Sequence, residues 1–253
     1  MGDSEKVSGT HAFLIGTPKS GTTWLAATLS QNPDICVSNP KEPNIIATHK
    51  GTFSRSVEEP DWELYESFFE GKGIRLDASI HAFSCPLAPM RIFDRFEDPR
   101  FILSFREPVS RIFSHWRMIV DNGEAHPNGA DWSEFKSAWE DERLRCDSRY
   151  GSSMERWLEK FELNRFYIIE STDLRTRPKE VLGELDEFPR TVKARLQYRH
   201  EKEIQLGFYS KAYVCCRKDS SHLFLIRSQS AEGADSKNSR EKKSEYLQSS
   251  DTE

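Results

Sequence analysis

At 253 residues the chain has room for one domain of ordinary size and at most a short appendage. Its formal net charge of −5 and mean hydropathy of −0.69 count against duplex DNA or an anionic membrane surface as the main partner, because both reward a basic face. No apolar run approaches the roughly 20 residues of a membrane span, whereas 36% hydrophobic and 11% aromatic residues suffice for a substantial core.

Residues 1–10, opening MGDSEKVSG, lack the apolar segment of a signal peptide and are expected to form a flexible N-terminus. A buried strand is expected over His11–Thr17 (HAFLIGT), stopped by Gly16 and Pro18. A helix follows over Thr22–Leu29, with Trp24, Leu25, Thr28 and Leu29 on one face. Ile35–Ser38, Ile74–Ser79, Phe101–Phe105 and Phe166–Glu170 read as further strands. Between them run helical patterns at Trp62–Phe69, Leu87–Phe96, Val109–Val120, Trp132–Trp139 and Ser152–Phe161. Strands alternating with helices imply βαβ units, hence an α/β fold of three layers with a central, mostly parallel β-sheet flanked by helices.

The domain is expected to span residues 11–227. Arg190–Lys218 carries eight Lys or Arg against two Glu, which suits either a solvated amphipathic segment or a basic lid over an anion. Residues 228–253 are Ser-rich, charged and nearly free of large apolar side chains, and read as a disordered tail. Five cysteines, Cys36, Cys85, Cys146, Cys215 and Cys216, lack metal-ligand spacing and read as reduced thiols of a cytoplasmic protein.

Chemistry concentrates first in Gly16-Thr17-Pro18-Lys19-Ser20-Gly21-Thr22-Thr23-Trp24, at the first strand-to-helix junction. A glycine-containing turn there aims backbone N–H groups at an anion, and the helix adds the positive end of its dipole. Thr22 and Thr23 add hydroxyl donors, and Lys19 a full charge. The loop is P-loop-like, but a Walker A motif has its lysine directly after the second glycine, where this chain has Thr22. Downstream, Phe105-Arg106-Glu107-Pro108 leads into a helix that carries Ser114. Taken alone, this step reads as a helix N-terminus with a surface arginine.

PKSGTTWL resembles the 5′-phosphosulfate-binding loop of sulfotransferases that use 3′-phosphoadenosine-5′-phosphosulfate (PAPS), and Arg106 with Ser114 resembles that family's 3′-phosphate pair. NPDICVSNPKEPN, DWELYESFF, LDAS, YGSSMERWLEKF and FYIIESTDL are similar to its glycan-type, heparan sulfate sulfotransferase-like branch, so the likeness runs from about Ala12 to Phe188. Two departures stand out. Ala78 occupies a place where heparan-modifying members usually carry lysine, and the family's C-terminal Ser-Lys-Gly-Arg loop has only an echo in Ser236-Lys237-Asn238-Ser239-Arg240.

The resemblance implies a PAPS-dependent transferase, needing no metal, that passes a sulfuryl group to a hydroxyl or amine of a glycan or small molecule. Pro18, Lys19, Ser20, Gly21, Thr22, Thr23, Trp24, Arg106 and Ser114 would bind the nucleotide. Lys19 would stabilise the transferring group and the leaving product, and Glu42 would be the general base. Lys41, Asp77 and His81 are candidates for the acceptor cleft, against the plainer readings of a solvated lysine, a helix cap and a packed histidine. Two alternatives stay open: a nucleotide-dependent kinase with Asp77 as a Mg²⁺ ligand, and a non-catalytic nucleotide-sensing module.

Overall fold

The computed structural model describes residues 6–47, 58–124 and 131–188. The basic segment Arg190–Lys218, the expected tail and the Ser236–Arg240 echo lie outside these residues.

Five strands, β1 (Val7–Gly16), β2 (Ile35–Val37), β3 (Ile74–Asp77), β4 (Phe96–Phe105) and β5 (Phe166–Glu170), form one sheet in the order β2-β3-β1-β4-β5. All four pairings are parallel, so every connection is a crossover and every strand delivers its carboxyl end to the same edge. The helices are α1 (Thr22–Leu29), α2 (Trp62–Ser67), α3 (Ala88–Arg95), α4 (Pro108–Asp121), α5 (Phe135–Glu140), α6 (Glu142–Arg145), α7 (Tyr150–Leu158), α8 (Asp173–Thr176) and α9 (Pro178–Glu187).

Side-chain alternation along the central strand builds the three layers. Phe13 and Ile15 of β1, with Phe101 and Leu103 of β4, join a core that includes Ile92 of α3 and Met154 and Trp157 of α7. Ala12 and Leu14, with Ile102, join a second core holding Leu25 and Leu29 of α1 and Val181 and Leu185 of α9. Burial of both faces makes β1 a continuous apolar run instead of an alternating one. A third cluster, Ile112, Ile119, Trp132, Ala138 and Leu144, packs α4 against α5 and α6.

Three differences from the sequence reading have physical causes. β1 begins at Val7, so Val7–Thr10 belongs to the sheet and not to a flexible N-terminus; Val7 pairs with Phe96 and Thr10 with Asp98. β4 likewise starts five residues earlier than expected, because Glu97-Asp98-Pro99-Arg100 has the composition of a loop. The structure neutralises those polar groups locally: the Thr10 hydroxyl donates to Asp98 at 2.9 Å, and Arg100 and Arg165 both pair with the same carboxylate. Finally, α1 buries Thr22, Leu25, Ala26 and Leu29 and leaves Trp24 42% exposed. That set follows the i, i+3, i+4, i+7 stripe.

Phe101 is fully buried and lies 4.7–4.9 Å from the rings of Phe161, Phe166 and Trp157. Phe101→Ala is expected to lower unfolding free energy by about 3–5 kcal/mol, read as a lower urea midpoint with an unchanged slope.

Candidate active site

Residues 17–21, between β1 and α1, are fastened to β4 at both ends. The Thr17 amide donates to the Ser104 carbonyl at 2.5 Å, and the Thr17 hydroxyl reaches the same oxygen at 3.2 Å. The Ser104 hydroxyl donates to the Ser20 carbonyl at 2.7 Å, and the Thr17 and Ser20 hydroxyls are 2.8 Å apart. Two residues make the turn in the left-handed region, Lys19 at φ 68° and Gly21 at φ 85°. A Cβ on Gly21 would lie 2.6 Å from Leu174 Cδ1, so glycine suits both the dihedral and the space.

The consequence is an open helix start. Gly21 is the N-cap of α1 and supplies no side-chain bond to its first-turn N–H groups. Side chains fill that role at three other helices, where Asp61 accepts from Leu64 N at the start of α2, Glu107 from Val109 N and Ser110 N, at 2.9 and 2.7 Å, at the start of α4, and Asp141 from Arg143 N at the start of α6; α3, α5, α7, α8 and α9 start without a side-chain cap, as α1 does. At α1 the orphan donors and the positive dipole end are left for another acceptor.

Cations gather beside it. Lys19 Nζ meets only the Met118 thioether, at 3.2 Å, among the described residues. Burial, and then the charge of Arg106, press its pKa below the usual lysine value. Arg106 leaves the carboxyl end of β4; its carbonyl accepts the Tyr150 hydroxyl at 2.9 Å, while its guanidinium makes no ion pair or hydrogen bond among the described residues. Ser114, half-buried on α4, also makes no side-chain hydrogen bond there. Pro18, Ser20 and Thr22 are buried in the loop, whereas Thr23 and Trp24 are exposed.

Behind this loop lies an ionic cluster that the sequence reading missed. Fully buried Arg111 bonds the Ser148 hydroxyl, the Leu144 carbonyl at 2.7 Å and His115 Nδ1 at 3.3 Å. Buried Asp147 accepts the Ser84 hydroxyl at 2.6 Å and lies 3.7 Å from His81 Nδ1. Burial raises the Asp147 pKa, but His81, Arg111 and Ser84 outweigh it and hold the carboxyl well below its usual range. His115 is pressed down to about 3 by burial and then by Arg111. His81 is therefore buried against Asp147. Nothing in the local sequence joins residues 30 to 66 positions apart, although the RxxSH spacing of Arg111 and His115 marks one turn of helix facing inward.

Glu42 follows β2 and is partly exposed; Lys41 Nζ holds its Oε1 at 2.6 Å. Asn44, at φ 55°, ties the segment down, donating its side-chain amide to the Glu42 carbonyl at 2.9 Å and its backbone N–H to Ser79 Oγ at 3.0 Å. Asp77 ends β3, is 2% exposed and accepts from Ser79 N at 2.8 Å. Burial pushes its pKa up to about 6; the bonds from Ser79 oppose the rise and the nearby Glu42 charge adds to it. The structure thus brings Glu42 and Asp77 into one electrostatic neighbourhood.

Comparison with known proteins fits this geometry. A family profile described as a sulfotransferase domain matches residues 9–205. The chain belongs to the sulfotransferase family. Among curated relatives, it is 22% identical over 183 residues to the bifunctional heparan sulfate N-deacetylase/N-sulfotransferase 1 of Caenorhabditis elegans, covering 70% of this chain and 21% of the relative. It is 23% identical over 207 residues to the mouse heparan sulfate glucosamine 3-O-sulfotransferase 5, covering 78% and 58%. This sulfotransferase therefore spans less than two thirds of the length of either relative. Its fold is shared with a sulfotransferase crystal structure from Alicyclobacillus acidocaldarius, with a TM-score of 0.60, 20% identity and coverage of 81% of this chain and 93% of that one.

Asp77 supplies a pH test. Its pKa of about 6 in the folded sulfotransferase exceeds the ordinary 3.8, so between those values the native state binds the extra proton and stability falls as pH rises. Asp77→Asn removes that penalty. The variant should gain on the order of 2–3 kcal/mol over the parent above pH ~6 and nothing near pH ~4, measured by urea unfolding at both values.

Proposed function

We propose that this sulfotransferase moves a sulfuryl group from PAPS to a sugar hydroxyl or amine. The observation that carries the reading is the uncapped start of α1, flanked by Lys19 and Arg106, which have no carboxylate partner among the described residues. Uncapped N–H groups, two cations without an ion pair among the described residues, and the Ser114 hydroxyl at the carboxyl edge of a parallel sheet suit a ligand with separate anionic ends.

In this reading residues 18–24 take the 5′ end of the nucleotide, and Arg106 and Ser114 take the 3′-phosphate. When bound, PAPS supplies an activated sulfuryl group and a stable leaving phosphate. Lys19 stabilises negative charge on the transferring group, the kind of fixed electrostatic complement that carries most of such a reaction. Glu42 accepts the proton of the incoming hydroxyl. Its Oε1 is taken by Lys41, and Oε2 makes no hydrogen bond among the described residues, which leaves that oxygen for the proton. Lys41 acts through Glu42 as a positioning residue, and the buried Asp77 and His81 support the acceptor side from below. A sugar acceptor is supported by the names of the curated relatives, which act on heparan sulfate.

Arg106→Ala should weaken binding of PAP, the desulfated product, by about ten- to a hundredfold. Adenosine 5′-phosphosulfate, which lacks the 3′-phosphate, should bind almost as before. Calorimetric titration of parent and variant with both ligands decides the matter; equal losses for the two would show Arg106 to be structural.

For the base, Glu42→Gln should cut turnover with labelled PAPS by roughly a hundredfold or more while PAP affinity stays within a few fold. Undiminished turnover would place the base elsewhere.

A further inference from the structure

A proton acceptor has to be aimed, and the side-chain contacts of Glu42 do little to aim it. Its carboxylate makes one hydrogen bond and ion pair among the described residues, with Lys41, and the two side chains are 29% and 28% exposed. An exposed ion pair is too weak to hold two long side chains in one geometry by itself. The direction of Glu42 therefore has to come from its backbone, which runs through Pro40-Lys41-Glu42-Pro43-Asn44. The prolines fix their own φ, and Pro43 also keeps Glu42 out of the helical region. A proline ring, however, has no N–H to bond the chain to its surroundings.

The fastening falls to residues on either side. Before the prolines, the Ser38 amide donates to the Leu76 carbonyl of β3 at 3.0 Å, and the Ser38 hydroxyl donates to the Lys41 carbonyl at 3.0 Å. Beyond them, the buried Arg91 of α3 donates to the carbonyl of buried Ile46 at 2.9 Å. Asn44 closes the gap between these anchors. Its backbone N–H donates to Ser79 Oγ at 3.0 Å, and its side-chain amide turns back to the Glu42 carbonyl at 2.9 Å. Ser79 is itself set by Asp77, which accepts its N–H at 2.8 Å. A continuous run of hydrogen bonds thus leads from the buried end of β3, through Ser79 and Asn44, to the main chain of Glu42.

Asn44 makes both bonds from the left-handed region, at φ 55°, where asparagine and aspartate are the side chains best tolerated. Aspartate ionised at neutral pH has no N–H to give the Glu42 carbonyl, so the dihedral and the donor together select asparagine. We propose that Asn44 is a positioning residue for the transfer reaction: by holding the Glu42 carbonyl it sets the direction in which the Glu42 carboxylate meets the acceptor. The assignment rests on the reading of Glu42 as the base. Asn44 is buried and acts through Glu42, not on the substrate. A displacement of about 1 Å at a reacting group can cost about a hundredfold in rate, so loss of the tether is read in turnover before it is read in stability.

Asn44→Gly keeps the left-handed backbone and the main-chain N–H that bonds Ser79, and removes the tether to Glu42. With labelled PAPS and desulfated heparan sulfate as the acceptor probe, Asn44→Gly in the full chain should lower kcat about tenfold or more. PAP affinity by calorimetry should stay within about twofold, and the urea midpoint should stay close to that of the parent. Asn44→Asp, which also tolerates the turn, should lose turnover in the same way at neutral pH. The deciding comparison is the double variant Glu42→Gln/Asn44→Gly. Once the carboxylate is gone there is nothing left to position, so the double variant should be no slower than Glu42→Gln alone. Losses that multiply in the double variant, or a fall in PAP affinity that matches the fall in turnover, would overturn the proposal. Full turnover of Asn44→Gly beside a slow Glu42→Gln would sink it alone and leave the base in place. Full turnover of Glu42→Gln would remove the base and this inference together, and a parent that binds PAP but passes no label to the polysaccharide would overturn the sugar-acceptor reading beneath both.

Discussion

Ser104 is the point from which the carboxyl edge of the sheet is hung. Its carbonyl receives the amide and hydroxyl of Thr17, and its hydroxyl reaches the carbonyl of Ser20, so one residue of β4 holds both ends of the loop. The same strand delivers Arg106 two residues later, with the Tyr150 hydroxyl fixing its carbonyl. The two anion-seeking parts therefore share a single strand, and their separation is set by a backbone buried on both faces and not by mobile side chains. A parallel sheet makes this possible because β1 and β4 end side by side.

Two buried carboxylates near this edge have opposite fates, and the difference explains their roles. Asp147 sits among Arg111, His81 and Ser84, so the interior supplies more stabilisation than burial removes, and the carboxyl stays ionised. It works as an anchor, drawing the segment before α7 onto α4. Asp77 has the bonds of Ser79 but no cation to balance burial, and it shares its surroundings with Glu42. Near neutral pH the negative charges of Asp77 and Glu42 oppose each other, and Lys41, paired with Glu42, is the cation that eases them.

Much of this was legible in the residues themselves. Thr22–Leu29 and Phe166–Glu170 fall where apolar spacing and the flanking glycine and polar residues place them, because local propensity and burial agree there. The first half of β4 was not legible: Glu97, Asp98, Pro99 and Arg100 become strand only when Thr10 and Arg165 arrive from other elements to satisfy Asp98. The face expected to hold Trp24, Leu25, Thr28 and Leu29 is replaced by one that buries Thr22, Leu25, Ala26 and Leu29. The open start of α1 was readable from the loop's glycine and threonines. The Arg111–Asp147–His81 cluster was not, since its members meet only after β3, α4 and the turn before α7 have packed.

The backbone of Lys19 carries a further meaning. A lysine held at φ 68° gives up about 1–2 kcal/mol that glycine at the same place would not lose. Glycine would relax the turn and asparagine would tolerate it, yet neither brings a cation to the mouth of α1. The loop thus keeps the residue that is worse for folding and better for charge, a local trade of durability against chemistry. In the proposed mechanism, position 19 is accordingly one where a more robust protein and a working one call for different amino acids.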